Sequence, residues 1–127
     1  MLRTRKNKSQ YSQRQRRVGE LIRKSLSDFI QRGTIHDENL FNKTITITQV
    51  VISADLKNAT AFIIPLGGEN TDEIVSALNN HTKYIRGQIT SSLSLKHTPK
   101  INFKEDISFK SSSKIDKILK KISSEIN

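Results

Sequence analysis

Apolar residues along the 127-residue chain fall into short groups, and their spacing switches between helical and extended. Val18, Leu21, Ile22, Leu26, Phe29 and Ile30 recur at three- and four-residue intervals, which places them on one stripe of a helix. The outer face offers Glu20 with Lys24 and Asp28 with Arg32, opposite charges one turn apart. Gly33 suits the C-terminal cap, where left-handed backbone is common. The start is predicted between Ser12 and Gln15.

After the polar stretch Thr34–Lys43, TITITQVVIS is rich in β-branched residues and predicts a strand. Its alternation slips: Ile45 and Ile47 share one phase, Val50 and Ile52 the other. A bulge near Thr48–Gln49 would turn both pairs to one core. Asp55 and Asn58 suit a turn, and NATAFIIPL then predicts a hairpin partner that ends, or lies at an edge, at Pro65.

Gly67-Gly68 breaks the chain, and Thr71-Asp72-Glu73 opens a helix, because carboxylates favour the positive N-terminal end. Its apolar side is Ile74, Val75 and Leu78. Asn79-Asn80-His81-Thr82 interrupts it: Asn tolerates left-handed angles, and Thr82 suits a new N-cap. The next helix carries Ile85, Ile89 and Leu93, with Tyr84 beside them, and Pro99 stops it. Ile101 and Phe103 alternate with Lys100, Asn102 and Lys104 in a third strand. Last come Ile115, Ile118, Leu119, Ile122 and Ile126 at helical spacing, opposite Lys114, Lys117, Lys120 and Lys121.

The predicted order is α-β-β-α-α-β, an α+β fold with a three-stranded sheet under three helices, plus a C-terminal amphipathic helix. The length favours one domain. Residues 1–11 are expected to form a basic flexible arm, 12–109 the domain and 110–127 a lysine-rich, helical tail. With 34% hydrophobic residues, five Phe and no Trp, the core is expected to be aliphatic and modest.

Charge adds the first functional constraint. The net charge is +10. Residues 1–17 hold seven bases and no acid; residues 96–127 hold eight lysines against four acids; the stretch between is nearly neutral. Two basic ends on a neutral fold predict a polyanionic partner, nucleic acid or an anionic membrane. The longest apolar run, near Ala61–Leu66, is too short to cross a bilayer. The absence of cysteine excludes disulfides, thiolate zinc sites and thiol catalysis, and suits a reducing cytoplasm.

Catalytic chemistry finds little support. His36, His81 and His97 lack metal-ligand spacing. Asp37-Glu38 and Glu105-Asp106 are the acid pairs that could hold Mg²⁺ or move protons, but adjacent acids in polar stretches are expected simply to be solvated. Gly67-Gly68-Glu69 is not a phosphate-binding loop. No enzyme activity, metal, cofactor or small-molecule substrate is expected. Two basic groups are candidates for contact with phosphates: Arg14, Arg16 and Arg17 where the first helix begins, and Lys83, Arg86 and Lys96 around the helix before Pro99.

The helix–break–helix before the last strand resembles a type II KH-like domain. RQRRVGELIRKSL, ITQVVISADLKNATAFIIPL and YIRGQITSSLSLKHTPKINF narrow this further. In order and spacing they are similar to the ribosome-binding factor A family, bacterial factors in small-subunit maturation. The more specific features are Ser53-x-Asp55-Leu56-x-x-Ala59, then Ile85-Arg86 and Pro99. One departure stands out: the family's Ala/Ser-x-Gly at the interhelical kink reads His81-Thr82-Lys83 here. The GxxG loop that clamps single strands in typical KH domains is absent too. The resemblance implies a cytoplasmic, RNA-binding partner of 16S rRNA and the immature 30S subunit. It would assist late maturation and 5′-end processing, often in connection with cold adaptation, by binding alone. A monomer is expected. A general KH-type RNA- or DNA-binding module, a metal-dependent rRNA-processing nuclease and a permanent ribosomal protein remain alternatives at this point.

Overall fold

A computed structural model describes residues 10–33, 35–67 and 69–108. Most of the predicted arm and all of the predicted C-terminal helix lie outside the described residues. The elements run α1 (Gln13–Gln31), β1 (Ile45–Ile52), β2 (Asn58–Pro65), α2 (Thr71–Asn80), α3 (Thr82–Thr90) and β3 (Lys100–Glu105). This is the predicted order. The sheet is β1-β2-β3, with β1 and β2 antiparallel and β2 and β3 parallel. Inward strand residues and the buried stripes of all three helices merge in one core on one face of the sheet.

α1 starts with a reciprocal cap. The Gln15 N–H donates to Ser12 Oγ at 3.0 Å, and the Ser12 N–H donates to Gln15 Oε1 at 2.8 Å. The Gln15 amide nitrogen also donates to the Ile52 carbonyl at 2.9 Å, tying the helix start to the end of β1. Val18, Ile22, Leu26 and Phe29 are buried as predicted. Leu21 is not: it is 45% exposed, because it lies about 100° round the helix from Ile22. On the outer face Arg23 Nε bonds both Glu20 carboxylate oxygens, and Arg32 donates to the Asp28 carbonyl. Gly33, at φ +63°, closes the helix.

The slip in β1 is a bulge between Ile47 and Gln49. It lets Ile45, Ile47, Val50 and Ile52 all reach the core. The β1–β2 turn is knitted by side chains. Ser53 Oγ donates to Asp55 Oδ1, which accepts the Lys57 N–H at 3.0 Å, and Ser53 Oγ accepts the Asn58 N–H at 3.0 Å. Leu56 takes φ +62° at the apex. These bonds, the one from Ser53 first, hold the Asp55 carboxyl below its ordinary range.

Gly19 sets how closely α1 meets the sheet. A Cβ there would stand 2.6 Å from the Val50 carbonyl oxygen, a backbone atom that cannot turn aside. Gly19→Ala should therefore destabilise the fold by about 1–3 kcal/mol, the usual cost of overpacking. Gly87→Ala, in open space on α3, should stabilise it by up to about 1 kcal/mol through helix propensity. Urea denaturation of both variants checks the pair.

Candidate nucleic-acid interface

The break between α2 and α3 decides how α3 is presented. It uses no left-handed residue: His81 sits at φ −106°, ψ 12°, in the bridge region open to most side chains. Among the described residues the positive-φ non-glycine ones are Asn42, Leu56 and Asn70. The predicted use of Asn tolerance at the break is thus corrected, and the missing glycine costs the backbone nothing here. Thr82 is also not a cap. It lies inside α3, and its hydroxyl donates to the Asn79 carbonyl at 3.1 Å.

Side chains hold the break instead. The Asn79 carboxamide lies along the free edge of β3, where its nitrogen donates to the Phe103 carbonyl at 3.0 Å and its oxygen accepts the Phe103 N–H at 2.8 Å. It pairs with β3 as a one-residue strand would. His81 Nε2 lies 2.9 Å from Asp37 Oδ2, which ties the loop before β1 to the break. The Asn39 N–H, and then His81, hold the Asp37 carboxyl below its ordinary range.

α3 buries Ile85 and Ile89 and exposes Lys83, Tyr84 and Arg86. The Tyr84 ring tilts against Phe29, with centroids 6.1 Å apart. Arg86 Nε donates to the Thr98 carbonyl at 3.0 Å, and Nη2 donates to the same oxygen. The guanidinium thus pins the loop of residues 91–99 that carries Lys96. Leu93 belongs to this loop, half-buried, because α3 ends at Thr90. Two of the five Arg86 N–H donors are committed to the fold.

The three arginines of α1 do not share a direction. Arg16 lines a groove of about 460 Å³ with Gln15, Glu20, Arg23 and the outer edge of β1. Arg14 lies about 160° round the helix from Arg16. It falls instead on the stripe of Ser25, whose hydroxyl accepts from Ser92 Oγ at 3.4 Å. Arg14 is therefore on the side of α1 that faces α3 and its following loop, with Arg17 between the two directions.

From Ile74 to Lys104 the chain has no acid and five bases: Lys83, Arg86, Lys96, Lys100 and Lys104. A charge count over a wide central stretch hides this, because the acids of the preceding loops and of the start of α2 cancel it. A sliding window would have found it. Lys100 and Lys104 are exposed on the outer face of β3.

The acid pairs have other partners. Asp37 is bound to His81. Asp106 is buried, and its carboxylate accepts from the Thr48 hydroxyl at 2.5 Å and from the Ser108 N–H at 2.9 Å. Among the described residues no three His, Asp or Glu converge as metal ligands, and no helix is long and apolar enough to cross a membrane.

Comparison with known proteins agrees with this fold. A family model described as Ribosome-binding factor A matches residues 14–119. A ribosome-binding factor A of Methylocella silvestris is 46% identical over 110 residues, covering 87% of this chain and 71% of that protein. The solution structure of a Thermotoga maritima protein described as a putative ribosome binding factor A superposes with TM-score 0.61 at 28% identity. It covers 76% of this chain and 90% of that one. A Thermus thermophilus ribosome binding factor A homology model, fitted into a cryo-EM map of a 30S–RbfA complex, gives TM-score 0.57 at 17% identity. That match covers 70% of this chain and 91% of the other.

Two outcomes follow from the geometry. Asn79→Ala leaves the Phe103 edge groups without their partner and should cost about 1–3 kcal/mol in urea denaturation, with exchange at the Phe103 amide accelerated. The depressed Asp37 and Asp55 carboxyls stabilise the fold above the unfolded carboxylate pKa, about 4. That stabilisation is lost as pH falls through their lower folded values. Stability should therefore decline on acidification below about pH 4, and Asp55→Asn should flatten that decline.

Proposed function

The chain belongs to the ribosome-binding factor A family, and from that premise we propose that it binds the immature small ribosomal subunit through 16S rRNA. In the cytoplasm, as a monomer, it assists late rRNA maturation and 5′-end processing. It works through binding energy: tighter binding to one rRNA conformation favours that conformation, and release follows when mature contacts remove the preference.

The observation that supports this reading best is the acid-free stretch of residues 74–104, which takes in α3, the following loop and β3 as far as Lys104, with Lys83, Arg86 and Lys96 exposed on a fixed frame. Lys83 stands in the first turn of α3, where backbone N–H groups add to the attraction for phosphate. Lys96 is held near α3 by the Arg86–Thr98 bond, and the uncommitted N–H groups of Arg86 can grip a phosphate oxygen. Arg14 and Arg17 extend the same helical side. Arg16 serves a separate contact along the β1 groove.

With about five phosphate contacts, log K should fall by roughly 3.5–4.5 per log unit of salt. The double variant Lys83→Ala/Lys96→Ala should lower that slope by about 1.5 without changing the urea midpoint. Filter binding to immature and mature subunits across a salt series measures both, with preference for immature subunits expected. Equal affinity for the two subunits, or an unchanged slope in the double variant, defeats the proposal.

A further inference from the structure

The sheet has a second face. All three helices pack on the face formed by Ile45, Ile47, Ala59, Ala61, Ile63, Ile101 and Phe103. The opposite face carries Thr46, Thr48 and Val51 from β1, Thr60, Phe62 and Ile64 from β2, and Lys100, Asn102 and Lys104 from β3. Among the described residues no helix lies over it, yet Val51, Phe62 and Ile64 make its middle apolar.

The chain leaving β3 is turned toward this face. The Asp106 N–H donates to the Ile63 carbonyl at 2.9 Å, so β3 stays paired to its end. The Asp106 carboxylate then receives the Thr48 hydroxyl at 2.5 Å. Thr48 projects from the outer face of β1, two strands away, and its hydroxyl also reaches the Phe62 carbonyl of the strand between them. The Asp106 side chain therefore reaches across β2 on the side away from the helices. The Ser108 N–H closes on the same carboxylate, and the described residues end there.

Nineteen residues follow, 109–127. Ile115, Ile118, Leu119, Ile122 and Ile126 fall within about 100° of one another on a helix, and Lys114, Lys117, Lys120 and Lys121 fall outside that arc. A helix of this length is marginal in water unless its apolar stripe is packed. Residues 115–126 would span about 18 Å as a helix. The sheet offers about 10 Å across its strands and about 26 Å along β2. Residues 109–114 can bridge up to about 20 Å.

We propose that residues 109–127 fold back as an amphipathic helix on the outer face of the sheet, steered there by the Asp106–Thr48 bond. The occupant is this chain's own C-terminal segment, which completes a helix–sheet–helix sandwich and carries its lysines on the outside. This does not depend on what the molecule binds. Helices would then cover both faces of the sheet, leaving α1, α3 and the edges as the exposed surfaces.

The natural absence of cysteine allows a clean test. A nitroxide is attached to full-length protein carrying Lys117→Cys, and paramagnetic broadening is read by NMR. Val51, Thr60 and Ile64 should lose most of their intensity, while Lys24 and Gln88, on the far side of the helical layer, keep theirs. Leu119→Asp in the labelled chain should restore the lost intensity. Uniform or absent broadening overturns the proposal. So does broadening that appears only between labelled and unlabelled chains in a mixture, which would make the occupant a second copy. A uridine oligonucleotide that shifts Ile64 while broadening is absent would make the face an RNA platform and overturn it equally.

Discussion

A three-stranded sheet with β3 at its margin must satisfy the free backbone groups of that strand, and the Asn79 carboxamide satisfies two of them at Phe103. The helical layer depends on this tie. Asn79 stands near the end of α2, so bonding it to β3 halts α2 against the sheet and obliges the chain to turn at His81. Thr82 bonds back to the Asn79 carbonyl, and α3 leaves in a defined direction with Ile85 and Ile89 inward. The basic shoulder of α3 is therefore placed by an uncharged side chain bonded to β3.

The same division of labour recurs in the residues that carry the family likeness. Ser53, Asp55 and Leu56 build the hairpin turn. Arg86 and Thr98 fasten the loop before Pro99 to α3. None of these requires a bound partner to explain it, and together they make the frame. Recognition by charge can then be carried by exposed lysines whose exact chemistry matters less than their position, as electrostatic binding to phosphates allows.

Periodicity made the elements legible: the stripe of α1 apart from Leu21, the slipped alternation of β1 that became a bulge, and the alternation of β3 stand in the structure as predicted. What was not legible is information between elements. Nothing in the local sequence marks Gly19 as the point where a helix meets the Val50 carbonyl. His81–Asp37 joins residues 44 apart, beyond any local pattern. Leu21 looked like core because its neighbours are, yet a helix on one side of a small sheet buries only a narrow arc. In the candidate site, charge singled out Lys83, Arg86 and Lys96 as candidates, but it did not show that the Arg86 guanidinium also serves the fold, nor that Arg14 and Arg16 point apart.

The central claim is that this frame turns the α3 side of the molecule toward small-subunit RNA. Directed hydroxyl-radical probing tests it most directly, with iron–EDTA tethered to single cysteines at Lys83→Cys, Lys96→Cys, Glu73→Cys and Thr46→Cys in an otherwise cysteine-free chain. The account predicts localised 16S rRNA cleavage from positions 83 and 96 on immature subunits and little from 73 or 46. Strong cleavage from 73 or 46 with none from 83 and 96 would contradict it.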